Sequence, residues 1–505
     1  VSGSLLLGVD IGTGSTKGVL CTIDGSVLAT AVIEHETSFP RAGWAEHDAE
    51  TLWWREFVAV TRELTAGKYS AADIGAVAVS AIGPCMVPLD ANGDPLRPAV
   101  LYGIDTRATA EIDLLNSLLG ADAIFALGGM ALTSQAIGPK ILWLRRHEPD
   151  MFERTAMIHS SSDYVVYRLT GEHVIDRHTA SYFAPLFNID TLEWDERFAD
   201  AVIGLDRLPR LGDATEIAGG VTSRASAETG LPVGTPITFG TIDAAAEAVS
   251  VGVEDPGDTM IMYGSTMFLL GTVEQPEPDP RMWTTAHPLP GKRAVTCGMA
   301  TSGLLTTWFC DVTASGAARN ESFETLIAEA TATPPGADGL ICLPYFAGER
   351  TPIQDPDARG IFAGLTLRHT RAHLFRAVLE GIAFGARHNL AVMAEMHAAP
   401  ERLVAVGGGT RNALWVKTIS DIAGVRQVIP ERTIGASYGD AFMAGLGSGL
   451  IADASALNRE WVRIVDEIEP DPALASRYDE MFGIYLNLYG ETRESMHRLG
   501  AIANS

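Results

Sequence analysis

The sequence predicts an α/β fold in which one architectural device is used twice. Leu5–Val9 is a short apolar run that closes on Asp10, as a buried strand does, and the turn Gly12-Thr13-Gly14-Ser15-Thr16-Lys17 leads into a second strand over Val19–Ile23. The same order of strand, glycine-hydroxyl turn and strand recurs at Thr259–Tyr263, Gly264-Ser265-Thr266 and Met267–Leu270. A chain of 505 residues exceeds what one core organises, so two duplicated domains are expected, over 1–250 and 251–505.

The remaining elements follow in chain order. Asp24-Gly25 signals a hairpin into a strand over Val27–Glu34. Asp48 is placed to cap a helix carrying Leu52, Trp53, Phe57, Val60 and Leu64 at helical spacing. Ile74–Ser80 and Met86–Leu89 read as strands, and Thr106–Leu119 and Lys140–Arg146 as helices. Thr235–Gly240 is a short strand before the alanine-rich helix Ile242–Val249, and Asp255-Pro-Gly-Asp258 is a turn. Later come a long helix over His373–Asn389 and a strand over Leu403–Val406 that runs into Gly407-Gly408-Gly409. A helix over Asn412–Ile422 and a small-residue helix over Tyr438–Leu446, suited to close packing on a sheet, complete the pattern.

Composition narrows the function classes. With 47% hydrophobic and 20% charged residues the chain is an ordinary globular protein. Its 37 basic and 63 acidic residues give a net charge of −26, which repels nucleic acid and anionic membrane. An anionic ligand then needs local help from glycine-loop amides, a helix N-terminus or a metal ion. The five cysteines are scattered without a CxxC pair, which argues against a zinc site and a disulfide framework and for a cytoplasmic setting. No apolar run has the length of a membrane span.

Four constellations carry the candidate chemistry. Asp10 at a strand end is suited to a hydrated Mg²⁺, while Gly12, Thr13, Ser15 and Thr16 offer backbone and hydroxyl donors to phosphate. The same stretch also reads as a glycine-rich turn capped by Asp10. Asp243, in Gly240-Thr-Ile-Asp-Ala-Ala, is either an N-cap or a general base beside a transferred phosphoryl group. Gly264, Ser265 and Thr266 form a second turn suited to phosphate. Gly407-Gly408-Gly409-Thr-Arg-Asn412 reads as a helix-opening turn whose bare backbone suits a purine or ribose, with Asn412 offering its amide, or as a plain turn. Together, in this order, they describe a nucleotide held between two duplicated domains.

The sequence resembles the FGGY family of carbohydrate kinases, in its xylulokinase-like branch. The likeness runs through Gly8–Gly18, Gly43-Trp-Ala-Glu-His47, Gly138-Pro-Lys-Ile-Leu-Trp143, Gly240–Val253, Tyr263–Thr266, Asp338–Pro352, Gly360–Leu365 and Gly407–Ala444. The resemblance implies two RNase H-like (actin-like ATPase) domains with a nucleotide cleft between them. The implied activity is ATP-dependent phosphorylation of a hydroxyl of a small sugar, polyol or sugar acid. It makes Asp10 the metal-linked carboxylate, Thr13 a β/γ-phosphate contact and Asp243 the base, with Asp243 also anchoring Mg²⁺ through water. Gly264 and Thr266 fall on the second phosphate loop, and Gly408, Gly409 and Asn412 on the adenine side. Lys17 reads equally as a phosphate binder and as a structural residue on the following strand.

For the acceptor, Tyr102-Gly-Ile-Asp105-Thr-Arg107 resembles the family's tryptophan-x-aspartate-x-arginine segment. Asp105 would take vicinal hydroxyls and Arg107 an acidic substrate group, or the two form a buried pair that pins a loop. At Ala81-Ile82-Gly83-Pro84-Cys85 the family's Gln-Met-His-Gly stretch is replaced, so Gly83 stands in the substrate wall and the histidine contact is missing. A sugar acid, a tetritol or another ketose is the expected alternative to xylulose. Cys85 reads as a small apolar residue, Trp53-Trp54 as packing, Glu349-Arg350 as a structural ion pair, and the scattered histidines as unsuited to a metal. The expected ligands are ATP, Mg²⁺ and the sugar, and a homodimer is one assembly the sequence leaves open. A nucleotide-binding regulatory or chaperone-like protein of the same superfold is the rival reading.

Overall fold

The computed structural model describes residues 3–313 and 319–503. The chain forms two compact units, each assembled from separate stretches: Val1–Glu254, Pro278–Ala294 and Ile434–Arg463 in the first, and Asp255–Glu277, Val295–Thr433 and Ile464–Ser505 in the second. Neither unit is contiguous in sequence, and the helix predicted over Tyr438–Leu446 packs with the first unit.

The first unit is organised by a mixed sheet of β1 (Leu5–Ile11), β2 (Ser15–Thr22), β3 (Val27–Glu34), β4 (Ile74–Ala81), β5 (Ile217–Gly220) and β6 (Pro236–Thr238), in the spatial order β5-β6-β4-β1-β2-β3. β1 and β2 are antiparallel, and β1 runs parallel to β4. The short bridge Thr241–Ile242 adds to the far side of β4, pairing with Ser80 and Ala81. Asp48 accepts from Thr51 N–H at 2.7 Å, as its capping role requires, and the chain winds through Ala49–Trp54 into helix α1 (Arg55–Thr65).

Side chains alternate across a strand, and here the alternation sorts the site. Leu5, Leu7, Val9 and Ile11 of β1 pack with Trp53, Trp54 and Phe57, so the tryptophan pair is core. Leu6 faces the other way, onto Ala441 and Phe442 of helix α3 (Ala436–Gly447). Gly8 lies on that same face, where an added Cβ would stand 1.9 Å from Ser437 O and 2.6 Å from Ala441 N. No side chain fits there. On α3, Gly439 makes an equally close approach to helix α2 (Asp243–Ser250), with a hypothetical Cβ 2.0 Å from Ala246 O. These two glycines let α3 sit tight against both β1 and α2.

The second unit repeats the device. β7 (Asp258–Tyr263) is antiparallel to β8 (Met267–Val273) and parallel to β10 (Arg402–Val406). β9 (Arg293–Met299) lies outside β8, and β10 is followed by β11 (Gln427–Pro430) and β12 (Ile464–Ile468). The helices Arg371–Glu395 and Ala413–Ala423 pack with this sheet's unit. Among the described residues no helix is long and apolar enough to cross a membrane.

Candidate active site

Three neighbouring strands bring the predicted carboxylates together. Ser80 of β4 pairs with Asp10 of β1 on one side and with Thr241 on the other, so the residues entering α2 lie beside the end of β1. Gly240 adopts φ +73°, and a Cβ there would stand 2.2 Å from Val79 O. Only glycine permits that bend, which delivers Asp243 to the first turn of α2. Asp243 is not the N-cap of its helix, a position that falls on Ile242. One of its carboxylate oxygens accepts from the Ala244 N–H at 2.7 Å, and the half-buried group keeps its other oxygen open.

The electrostatics follow from crowding acids in a desolvated place. Burial first, then the neighbouring Asp10, push the Asp243 carboxyl well above the usual carboxylate range. Burial also raises Asp10, opposed by Lys17 directly across the β1–β2 pair and by the Ser80 hydroxyl. Lys17 therefore faces the carboxylate cluster from its strand. Two residues outside the sequence-based set complete the cluster. Glu247, one helical turn beyond Asp243, is pushed up to about 7 by burial and by Asp10. Asp440 of α3 is fully buried, accepts from Ser80 Oγ at 2.7 Å, and leaves its Oδ1 without a partner.

The turn after β1 has an open face. Thr13 and Gly14 are exposed, and a Cβ at Gly12 or Gly14 would meet nothing closer than 3.4 Å and 3.8 Å. The protein's own packing does not demand glycine at either position. An approaching ligand would. Thr16 departs from its expected role, because it is buried and donates its hydroxyl to Glu56 at 2.7 Å. Its alternation onto the α1 side of the sheet removes it from the open face.

In the second unit, Gly264 and Ser265 carbonyls accept from the N–H groups of Ser302, Gly303 and Leu304 at 2.9–3.0 Å, while Ser265 stays exposed. In the triglycine turn, Gly407 needs its φ of +92°, and Gly409 packs where a Cβ would stand 2.6 Å from Trp415. Gly408 has neither reason: a Cβ there meets no atom within 4 Å. Asn412 caps the following helix through Oδ1, which accepts from Trp415 N–H at 3.2 Å, and its buried Nδ2 has no partner.

Of the two readings of Asp105 and Arg107, the geometry matches the buried pair. Asp105 is fully buried, accepting from Ala45 N–H at 2.7 Å and from the Arg107 guanidinium at 2.7–3.0 Å. The Arg107 side chain is also fully buried, paired with Glu46 at 2.9 Å and stacked 3.9 Å from the Trp44 ring. This is the loop-pinning arrangement. Lys140 stands next to it, donating to Ser134 O at 2.6 Å, its ammonium pushed down to about 8 by burial against the pull of Asp105. Gly83 packs on Ile242, the residue before Asp243, where a Cβ would stand 2.2 Å from its side chain. Cys85 is buried and its thiol pushed far up, hence unreactive. Glu349 is not engaged as the expected ion pair: its carboxylate accepts from the backbone N–H groups of Ala300 and Arg350, each at 2.7 Å.

The profile of the FGGY family of carbohydrate kinases matches residues 5–250 with its N-terminal domain and 259–448 with its C-terminal domain. The chain belongs to this FGGY family. It is 29% identical to a xylulose kinase of Bacillus subtilis over 97% of both chains. A gluconokinase of the same organism is 26% identical over 96% of this chain and 95% of its own. The solved structure of a xylulose kinase from Rhodospirillum rubrum superposes with a TM-score of 0.92 at 33% identity, covering 98% of this chain and all of that one. As an FGGY protein with relatives of this kind along its whole length, the chain is an ATP-dependent carbohydrate kinase of two actin-like α/β domains.

Proposed function

We propose that this kinase phosphorylates a hydroxyl of a xylulose-like ketose, with Asp243 as the base. The observation that carries the assignment is the junction of β1, β4 and α2, where Asp243 keeps one carboxylate oxygen open beside Asp10. A raised carboxyl is a better proton acceptor than a free aspartate, and in phosphoryl transfer the protein's work is positioning and charge stabilisation. The exposed turn at Thr13 and Gly14 is suited to β- and γ-phosphate oxygens, and Gly408 with the unpartnered Asn412 amide to the adenosine side.

Among the described residues no group of three or more His, Cys, Asp or Glu could hold a metal alone. That agrees with Mg²⁺, which keeps several waters and takes one or two carboxylates plus substrate phosphates. Burial raises both Asp10 and Asp243, and Asp10 raises Asp243 further, a cost that a cation beside them would relieve. Asp10 and, through water, Asp243 would hold it, and when bound it neutralises developing charge on the phosphates. The five buried free cysteines support a cytoplasmic location.

The sugar-acid reading rests on the gluconokinase relative and the missing histidine at Ala81–Cys85. It ranks second, since Arg107, the cation expected to meet a substrate carboxylate, is already paired with Asp105 and Glu46. A coupled ADP assay over ketoses, tetritols and aldonates decides between them. Turnover with a ketose, abolished in Asp243→Asn while ATP still binds, is expected; turnover with aldonates alone would overturn the substrate assignment.

A further inference from the structure

The turn after β1 is held from behind by a set of side chains that neither composition nor motif singles out. Its carbonyls are engaged one after another: Gly12 O lies 3.1 Å from His35 Nε2, Thr13 O accepts from Thr37 Oγ1 at 2.9 Å, and Gly14 O accepts from the His35 N–H at 3.0 Å. With its carbonyls drawn to one side, the turn presents the exposed Thr13 and Gly14 on the other. In the second unit the carbonyls of the corresponding turn accept from the backbone N–H groups of Ser302, Gly303 and Leu304.

The hydrogen positions follow from the partners. His35 Nδ1 lies 2.8 Å from Glu56 Oε2 and its Nε2 faces the Gly12 carbonyl, so the ring sits between two acceptors, a geometry suited to a ring that donates from both nitrogens. The His35 side chain is only 3% exposed, and Glu56 balances it while also accepting from Thr16 Oγ1 at 2.7 Å. His47 is the neutral member. Trp53 Nε1 donates to its Nδ1 at 3.2 Å, so its Nε2 hydrogen goes to Thr37 Oγ1 at 3.0 Å, which frees the Thr37 hydrogen for Thr13 O. Burial first, and then His35, push His47 down to about 4.

We propose that His35, charged and clamped by Glu56, is the positioning residue of the first phosphate turn: it fixes the backbone so that amides face the polyphosphate, and it sets a positive charge directly behind them. The inference rests on reading Gly12–Thr16 as a phosphate-binding turn. A charge-assisted bond at the base of a turn orders the donors before the nucleotide arrives, which lowers the cost of binding. The net charge of −26 makes such a local cation more valuable to an anionic ligand.

The test is titration calorimetry with ATP and Mg²⁺ in the absence of sugar, together with KM and kcat, on His35→Ala, His35→Gln, Glu56→Gln and Thr13→Ala. His35→Ala is expected to weaken ATP binding about tenfold with the sugar KM within about twofold of the parent, and His35→Gln, which keeps one donor, to recover part of the loss. Unchanged ATP affinity in His35→Ala beside weakened affinity in Thr13→Ala would overturn the clamp and leave the phosphate reading standing. Unchanged affinity in both would overturn the phosphate reading and the clamp with it. Equal losses toward ATP and sugar with a lowered melting temperature would reduce His35 to a structural part. If His35→Ala does not fold, His35→Gln and Glu56→Gln carry the same comparison.

Discussion

Ser80 Oγ donates to Asp440 Oδ2 at 2.7 Å and lies 3.5 Å from Asp10 Oδ1, so a carboxyl on α3 reaches the end of β1 through one hydroxyl. The face shared by Leu6, Gly8 and Asp10 makes this inevitable once α3 packs against Gly8. Burial, and then the charges of Asp10 and Asp243, hold the Asp440 carboxyl well above its ordinary value, with Ser80 pulling the other way. The folded state therefore binds a proton that the unfolded chain releases, and stability declines as pH rises above the ordinary carboxylate value toward the raised one.

Asp440→Asn should remove that decline. The amide is neutral throughout, keeps the volume, and still accepts from Ser80. Melting temperatures measured from about pH 5 to about pH 8 should separate, with the variant about 2 °C or more above the parent at the alkaline end. A constant offset across the range would show that Asp440 is charged in the fold.

Activity has its own pH signature. The base proposed at Asp243 would work deprotonated, and its carboxyl is raised by burial, then by Asp10, and further by Glu247. Sugar kcat/KM should accordingly fall as pH is lowered through that raised value. Glu247→Gln removes one of the charges responsible, so its acidic limb should move to lower pH. An acidic limb that stays in place would separate Glu247 from the base.

Much of this was legible before any coordinates. Apolar runs bounded by glycine located β1, β7 and β10, because buried strands are short and end where the chain must turn. The junction at Asp243 was legible for the same reason. What escaped were residues whose meaning depends on which faces meet. Asp440 sits in a helix of small residues, and its only trace in sequence is a carboxylate where apolar packing is expected. Glu247 is an i+4 neighbour of Asp243, a spacing too common to stand out. Thr16 belongs by sequence to the turn, yet strand alternation sends its hydroxyl to Glu56. His35 and Glu56 are 21 residues apart and meet only because β3 and α1 cover the same edge of the sheet.

The Asp105–Arg107 loop is testable as architecture. Arg107 bonds Asp105, pairs with Glu46 and stacks on Trp44, and a lysine reproduces neither the fork nor the flat face. Arg107→Lys keeps the charge but loses the forked bond to Asp105 and the stacking on Trp44, and should cost about 1.5–3 kcal/mol. Denaturant unfolding measures it. A stable variant with a raised sugar KM would instead return Arg107 to the substrate wall.

The triglycine turn separates packing from ligand approach one residue at a time. Gly409→Ala should lower the melting temperature, because its Cβ would press within 2.6 Å of Trp415 Cζ3 and 2.9 Å of Tyr263 Cβ. Those rings are fixed, with Trp415 edge-on to Tyr263 and the Tyr263 hydroxyl bonded to Gln427 at 2.6 Å. They cannot yield cheaply. Gly408→Ala has no such obstacle and no positive φ, so it should be neutral or stabilising by about 0.4–1 kcal/mol. If the flat backbone at Gly408 is where the nucleoside rests, this same variant should raise the ATP KM severalfold while the sugar KM holds. A Gly408→Ala enzyme with parental stability and parental ATP affinity would remove the turn from the nucleotide site, leaving the unpartnered Asn412 amide in need of another explanation.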